Sequence, residues 1–332
     1  MSYLLCQANA LRIPLADESV QCCVTSPPYW GLRDYDVAGQ LGLESTPDEF
    51  LASMVAVFRE VWRVLREDGT LWLNIGDSYA GQGAASQEQT DADIRFARVG
   101  NALIKKQRRV GTVAALKPKD LVGIPWRLAF ALQADGWYLR SDIIWAKPNP
   151  MPESVTDRPT KSHEYLFLLS KSERYYFDAD SIREPHVDFE RGANGTRVGS
   201  KDERRESGVR TGTMNNIDRG GAERAYNPAG RNIRSVWNIA TESYPGSHFA
   251  TYPRKLVEPC VKAGSKPGDV VLDPFSGTST TGVVALALKR RYVGLDLSRD
   301  YLGQAVHRLT RPHAPIQRPG KPEHHPLFGD SA

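Results

Sequence analysis

Cysteine is scarce in this chain of 332 residues. Only Cys6, Cys22, Cys23 and Cys260 occur. Their spacing builds neither a metal site nor a disulfide framework, so a reducing cytoplasm is the expected setting. No run approaches the ~20 consecutive apolar residues of a membrane span. The opening MSYLLCQANALR lacks the basic start and cleavable apolar segment of a secretion signal. Internal repeats are missing as well. His324 and His325 lie in a Pro-rich tail, and no metal site is expected.

A strong excess of either charge is also lacking. Lys and Arg number 43 against 39 Asp and Glu, leaving +4. Such a balance permits nucleic-acid binding without demanding it. The distribution is more telling. Lys105, Lys106, Arg108 and Arg109 form one basic cluster, and arginines are scattered through a Gly- and Asn-rich stretch from Arg191 to Arg234.

What is present is an apolar fraction of 40%, enough for a substantial α/β core. YLLCQANA and the run ending at Thr25 read as strands. TPDEFLASMVAVFREVWRVLREDG has a Thr46/Pro47 start, acids in the first turn and Gly69 beyond its end, which predicts a helix. TLWLNIGDS is the next strand, and residues 80–117 form a long polar connection. PKDLVGIPWRLAFALQADG reads as a helix, WYLRSDIIWAK as a strand, and SHEYLFLLSKSERYYFD as a strand pair about a polar turn. After an aliphatic-poor insert, the pattern resumes with PRKLVEPCVKAGS, VVLDPF, TTGVVALALKR, YVGLDLS and RDYLGQAVHRL as alternating helices and strands. Alternation of this kind implies a doubly wound, mostly parallel sheet.

GDVVLDPFSGTSTTGVVALALKRRYVGLDLS is the most informative run. A buried strand ends at Asp273, a tight loop Pro274, Phe275, Ser276, Gly277, Thr278, Ser279, Thr280 follows, and the next strand ends at Asp296. An acid one βα unit beyond such a loop is placed for ribose hydroxyls. A pyrophosphate binder calls for G-x-G-x-x-G, whereas this loop has Gly277 followed by hydroxyl residues. A cofactor with a ribose and no phosphate fits better, and S-adenosylmethionine is the common one.

CCVTSPPYWG ends an apolar strand in two prolines and two aromatics. Pro27 and Pro28 have fixed φ and no N–H, and Ser26 is driven into an extended conformation. The result is a rigid loop of acceptors, Ser26 Oγ and the Pro27 carbonyl, with Tyr29 and Trp30 beside them. It suits an amino group on a flat ring: the N–H hydrogens go to the acceptors and the ring stacks on an aromatic. Such an amine is a poor nucleophile, so catalysis would work by positioning and electrostatics.

TSPPYW together with DPFSGTSTTG resembles the amino-methylating DNA methyltransferases, which act on cytosine N4 or adenine N6. The catalytic loop comes first and the cofactor loop last, which is similar to their β arrangement. QANA, IIWAKPNPMPESVTDRPTKSHEYLFLLSKS and HFATYPRKL extend the resemblance over about residues 3–183 and 235–310. It implies a Rossmann-like α/β methyltransferase fold with residues 1–183 as the catalytic part, 184–235 as a target-recognition insert, 236–310 as the cofactor part, and 311–332 as a flexible tail. It implies Asn9, Tyr252, Pro253, the 273–280 loop and Asp296 at the cofactor, and double-stranded DNA as substrate. A restriction endonuclease acting on the same site is the partner that goes with such enzymes, in a monomeric or homodimeric protein. Two departures stand out. Ala8-Asn9 replaces a usual Gly-Asp, and Ser279 replaces a second glycine.

Ser26, where adenine enzymes more often carry Asp, resembles the cytosine-N4 group, with adenine N6 as the alternative. Cytosine C5 methylation needs a thiolate, and Cys260 lies in an amphipathic helix, where a structural role is expected. Asp77 is a candidate for substrate or cofactor contact, or for capping. Lys147 is a candidate phosphate contact or a solvated lysine. Arg204, Arg205 and Arg210 of the insert suit phosphates and guanine edges. Tyr29 or Trp30 could receive a base flipped from the duplex. Two readings of another class remain: a non-catalytic nucleic-acid binder on this fold, and methylation of a protein glutamine.

Overall fold

In the computed structural model the described residues are 2–80 except 33 and 36, the backbone of 98–99 and 102–103, 116–185, 227, 229–242 and 252–310. Their contacts divide into two units. One comprises Met1–Asp178 with Arg234–Ala332, and the other Ala179–Ile233. The elements of the first, in chain order, are β1 (Tyr3–Gln7), β2 (Val20–Thr25), α1 (Pro47–Val64), β3 (Leu65–Ile75), β4 (Arg98–Val99), β5 (Ala102–Leu103), α2 (Ile124–Ala134), β6 (Tyr138–Ala146), β7 (His163–Ser170), β8 (Val236–Asn238), α3 (Arg254–Gly264), β9 (Val270–Asp273), α4 (Thr280–Ala287), β10 (Arg291–Asp296) and α5 (Arg299–Leu309).

Eight strands form one sheet in the order β1-β10-β9-β2-β3-β7-β6-β8, while β4 and β5 pair with each other. Neighbours in the large sheet are parallel except β3–β7 and β6–β7. All six residues of β2 are buried, as a central strand covered on both faces requires. Successive side chains of a strand point to opposite faces. Cys23 accordingly joins the core that contains Phe50, Met54, Phe58 and Val61 of α1, whereas a Cβ on Gly264 of α3 would lie 2.7 Å from Cys22 Sγ. Helices thus cover both faces.

Local chemistry starts α1 as the sequence predicts: Thr46 Oγ1 accepts from Glu49 N at 3.2 Å, and the Glu49 carboxylate reaches back to Ser45 N at 3.0 Å. The end differs. The helix stops at Val64 and β3 begins at once, because Leu65 pairs with Val20 and a register shift before Cys22↔Thr70 absorbs the intervening residues. The second helix starts at Ile124, later than its sequence pattern suggests. Residues 117–122 are held in turns instead, with Lys117 N on Asp120 Oδ2 at 3.0 Å and Val122 N on Ser78 O at 3.0 Å.

The expected strand pair over 162–178 is a single strand, β7. Both of its edges are occupied by β3 and β6, so YYFD finds no free ladder, and Tyr176 N bonds Asp68 O at 2.9 Å instead.

Within the second unit, Glu184 and Arg231 exchange two backbone hydrogen bonds of 2.9 Å and share an ion pair of 3.0 Å. These contacts tie together the two ends of the Arg-rich segment.

Candidate active site

Strands β2 and β9 lie side by side, with Cys22 opposite Val271 and Cys23 opposite Leu272. From this pair the sheet continues through β10 on one side and β3 on the other. The connections leaving the two strand ends therefore diverge, and a crevice opens between them. It forms a cavity of about 660 Å³ that brings Ser26, Pro27, Pro28 and Tyr29 together with Asn9, Tyr252, Asp273 through Thr278, Thr280 and Asp296.

Asp273 clamps the two strand ends. Its carboxylate accepts from Thr25 Oγ1 at 2.7 Å, Thr281 Oγ1 at 2.8 Å, Tyr252 OH at 3.0 Å and the backbone of Phe275 at 3.1 Å. Burial lifts its pKa to about 6 despite these donors. Expected at the cofactor, the Asp273 side chain spends its acceptors on the protein. Tyr252 also bonds Thr281 Oγ1, and burial first, then the neighbouring Asp273, raises its phenol well above 10.

The cofactor-side loop turns through two left-handed residues, Gly277 at φ 49 and Ser279 at φ 61. Ser279 thus adopts the conformation a glycine takes most easily, steadied by its hydroxyl 2.7 Å from Ser276 Oγ. It is fully buried and does not line the cavity. Arg308 braces the same turn through Thr278 Oγ1 and Thr280 Oγ1, both at 3.0 Å. Asp296 Oδ2 accepts from Gly277 N and Oδ1 from Ser298 N, each at 2.8 Å. The carboxylate lines the cavity, and burial raises it above its ordinary value against the backbone donors of Ser298, Gly277 and Leu297. Asn9 also lines the cavity, its Oδ1 accepting from Leu11 N at 2.9 Å. Pro253 does not; it is buried as the N-cap of α3.

On the β2 side, Tyr29 OH donates to Glu164 Oε2 at 2.6 Å. Burial, then Glu164, hold this phenol well above 10, and a hydrogen bond from Ser26 opposes them. Asn74 Nδ2 reaches the same carboxylate oxygen at 3.2 Å, and Lys147 forms an ion pair with the other. Lys147 also stands 4.4 Å from the centre of the Trp145 ring. Gly76 leaves room for Tyr29, since a Cβ there would come within 2.5 Å of its ring.

A sequence profile of the DNA methylase family matches residues 20–307. This chain belongs to the DNA methylase family. It is 48% identical over 297 residues to the Type II methyltransferase M.SmaI of Serratia marcescens, covering 90% of this chain and 86% of that protein. Among solved structures it resembles the cytosine-N4-specific PvuII DNA methyltransferase, with TM-score 0.61, 15% identity and coverage of 95% and 88% of the two chains. It also resembles a putative DNA modification methylase of Thermus thermophilus complexed with S-adenosyl-L-methionine, with TM-score 0.54, 22% identity and coverage of 92% and 93%. The fold expected from the sequence, a mostly parallel Rossmann-like sheet, is the fold of these proteins.

Trp30 of this DNA methylase departs from expectation. It is 2% exposed, packs in the core and donates from Nε1 to Glu44 O at 2.9 Å, so it is no surface for a flipped base. Asp77 caps α2 from outside the helix. Its Oδ1 accepts from Gly123 N at 2.9 Å and Ile124 N at 3.0 Å. Lys147 is neither solvated nor free, because Glu164 and Trp145 hold it on the cavity wall. Cys260 is fully buried, donates to Leu256 O at 3.2 Å, and burial raises its thiol well above 9. Arg204, Arg205 and Arg210, the 105–109 basic cluster and the 311–332 tail lie outside the described residues. Glu164, Asn74, Tyr35 and Tyr301 line the cavity without having been singled out in the sequence. An acid inside the otherwise apolar strand HEYLFLLS was the available signal for Glu164.

Proposed function

We propose that this DNA methylase transfers a methyl group from S-adenosylmethionine to the exocyclic N4 amine of a cytosine turned out of duplex DNA, with no covalent intermediate. The reading rests on one observation. The 26–29 loop and the 273–278 loop with Asp296 line a single cavity at the divergence of β2 and β9.

The residues on the β9 side fit S-adenosylmethionine. Asp296 offers lone pairs to ribose hydroxyls, Asn9 an acceptor for the adenine amine, and Phe275, Tyr35 and Tyr301 apolar walls. When bound, the cofactor supplies a methyl group on a sulfonium. Everything else is done by the chain. Tyr29 spends its one hydroxyl hydrogen on Glu164, so in its interaction with Ser26 the Ser26 hydroxyl is the donor. That direction leaves the Ser26 lone pairs to accept one amine hydrogen, and the Pro27 carbonyl accepts the other. Held in this way the amine nitrogen pyramidalises, and its lone pair is aimed at the methyl group. The N–C bond would form as the S–CH3 bond breaks to leave a thioether, and the nitrogen would then release one proton to solvent. Tyr29 provides the stacking face for the base.

Ser at position 26 and the likeness to a protein named as cytosine-N4-specific favour cytosine. Adenine N6 is the second reading, and it shares the mechanism. A C5 reaction is disfavoured because Cys22, Cys23 and Cys260 are buried with raised thiols and none lines the cavity. Residues 184–235 are proposed as the target-recognition region, and an endonuclease of the same site as the partner. Mass spectrometry of DNA digested after methylation tests the reading. N4-methylcytosine is expected. N6-methyladenine would overturn the base assignment, and 5-methylcytosine the mechanism.

A further inference from the structure

Among the large apolar side chains of the described residues, Met151 is the most exposed, at 84%. It is also the one exposed apolar side chain of that set that reaches the cavity lining. It sits between Pro150 and Pro152 in the connection from β6 to β7, and lines the cavity together with Lys147.

This connection is firmly built. Its base is closed by Lys147 N on Ser162 O at 2.8 Å, and Asn149 Oδ1 accepts from Thr241 N at 3.0 Å. Farther along, Glu153 gathers Arg158 at 2.7 Å and the backbone of Lys161 at 3.3 Å, while the Arg158 guanidinium covers the Tyr79 ring at 3.9 Å. Two prolines fix φ on either side of Met151. A braced loop therefore holds a methionine in water, where it adds nothing to the core.

We propose that Met151 is the wedge that enters the DNA stack and fills the space left by the extruded target base. An unbranched thioether side chain adapts to an irregular gap. Its apolar surface prefers the faces of the flanking bases to water, as it does in other proteins that insert Met, Leu or Phe between base steps. The position suits the task, because the wedge stands at the mouth of the cavity that receives the base. The inference rests on the base leaving the duplex and is indifferent to whether that base is cytosine or adenine.

The test uses the full chain, S-adenosylmethionine and duplexes whose methylated position has first been mapped. One duplex is fully paired, a second has an abasic site opposite the target, and a third carries 2-aminopurine at the target. Met151→Ala is expected to lower kcat/KM on the paired duplex roughly ten- to a hundredfold and to abolish the 2-aminopurine signal. Activity on the abasic duplex should return to near the wild-type level, cofactor affinity by calorimetry should be unchanged, and Met151→Leu should retain most activity. Wild-type rates for Met151→Ala on paired DNA, or equal losses on both duplexes, would overturn the wedge. A wild-type protein that gives no 2-aminopurine signal would instead overturn base extrusion itself, and the wedge with it.

Discussion

Thr25 and Asp273, 248 positions apart in the chain, are joined by a hydrogen bond of 2.7 Å that locks the end of β2 to the end of β9. Thr25→Val removes the donor and leaves a buried acceptor short of one partner. A stability loss of about 1–3 kcal/mol is expected in urea denaturation. Activity should fall as well, because the two loops lose their common anchor.

The same carboxyl carries a pH signature. Burial lifts Asp273 to about 6 from 3.8, so between those values the folded state keeps a proton that the unfolded chain has released. Its stabilising contribution is full below the unfolded value and is lost as pH rises through about 6. From pH 7 to pH 5 the wild type should gain on the order of 1–1.5 kcal/mol relative to Asp273→Asn, which cannot titrate there. Denaturation midpoints of both proteins at the two pH values decide it. A constant difference would refute the shift.

Ser26→Ala removes one acceptor at the reacting nitrogen, and by analogy with an oxyanion-hole donor a loss of about 2.7–4 kcal/mol is expected, mainly in turnover. Tyr29→Ala should weaken capture of the base by roughly 1–3 kcal/mol through lost stacking. Tyr29→Phe separates the two roles. It keeps the ring and breaks the link from Ser26 to Glu164, so KM should hold while kcat falls. Steady-state kinetics of the three variants distinguishes them, and full activity in Ser26→Ala would exclude the mechanism.

Asp296→Ala should weaken S-adenosylmethionine binding, expected in the micromolar range, by about 1.5–3 kcal/mol, the worth of hydrogen bonds to a charged group. Isothermal calorimetry measures it directly. An unchanged affinity would remove Asp296 from the ribose.

Lys147 and Glu164 form an ion pair with side chains only 18% and 14% exposed. Lys147→Met leaves a desolvated carboxylate beside Tyr29 and should destabilise the protein. Adding Glu164→Gln should recover part of that stability without restoring turnover. A double-mutant cycle in denaturant gives the coupling, and strict additivity would show that the two side chains act independently.

The two loops that line this cavity were legible before folding. Ser-Pro-Pro-Tyr and Asp-Pro-Phe-Ser-Gly-Thr restrict their own backbones through proline φ, glycine and local hydroxyls, so the loops could be read from adjacent residues. Glu164 could not. Its partners Tyr29, Asn74 and Lys147 come from three other stretches of chain, and nothing around it signals them. Trp30 failed in the opposite way. Its place beside Tyr29 suggests a shared role, yet the turn at Gly31 (φ 65) and the carbonyl of Glu44 take the indole into the core.

The sequence by itself determined the alternation of strands and helices and the two restricted loops with the side chains they carry, because periodicity and φ restrictions act over a few residues. Only the tertiary structure decided that β2 and β9 are neighbours, that Asp273 serves as a clamp, and that Asp77 caps a helix 46 residues away. Those outcomes depend on which buried polar groups find each other once the sheet closes. A buried carboxylate must be satisfied by whichever donors the packing brings within reach.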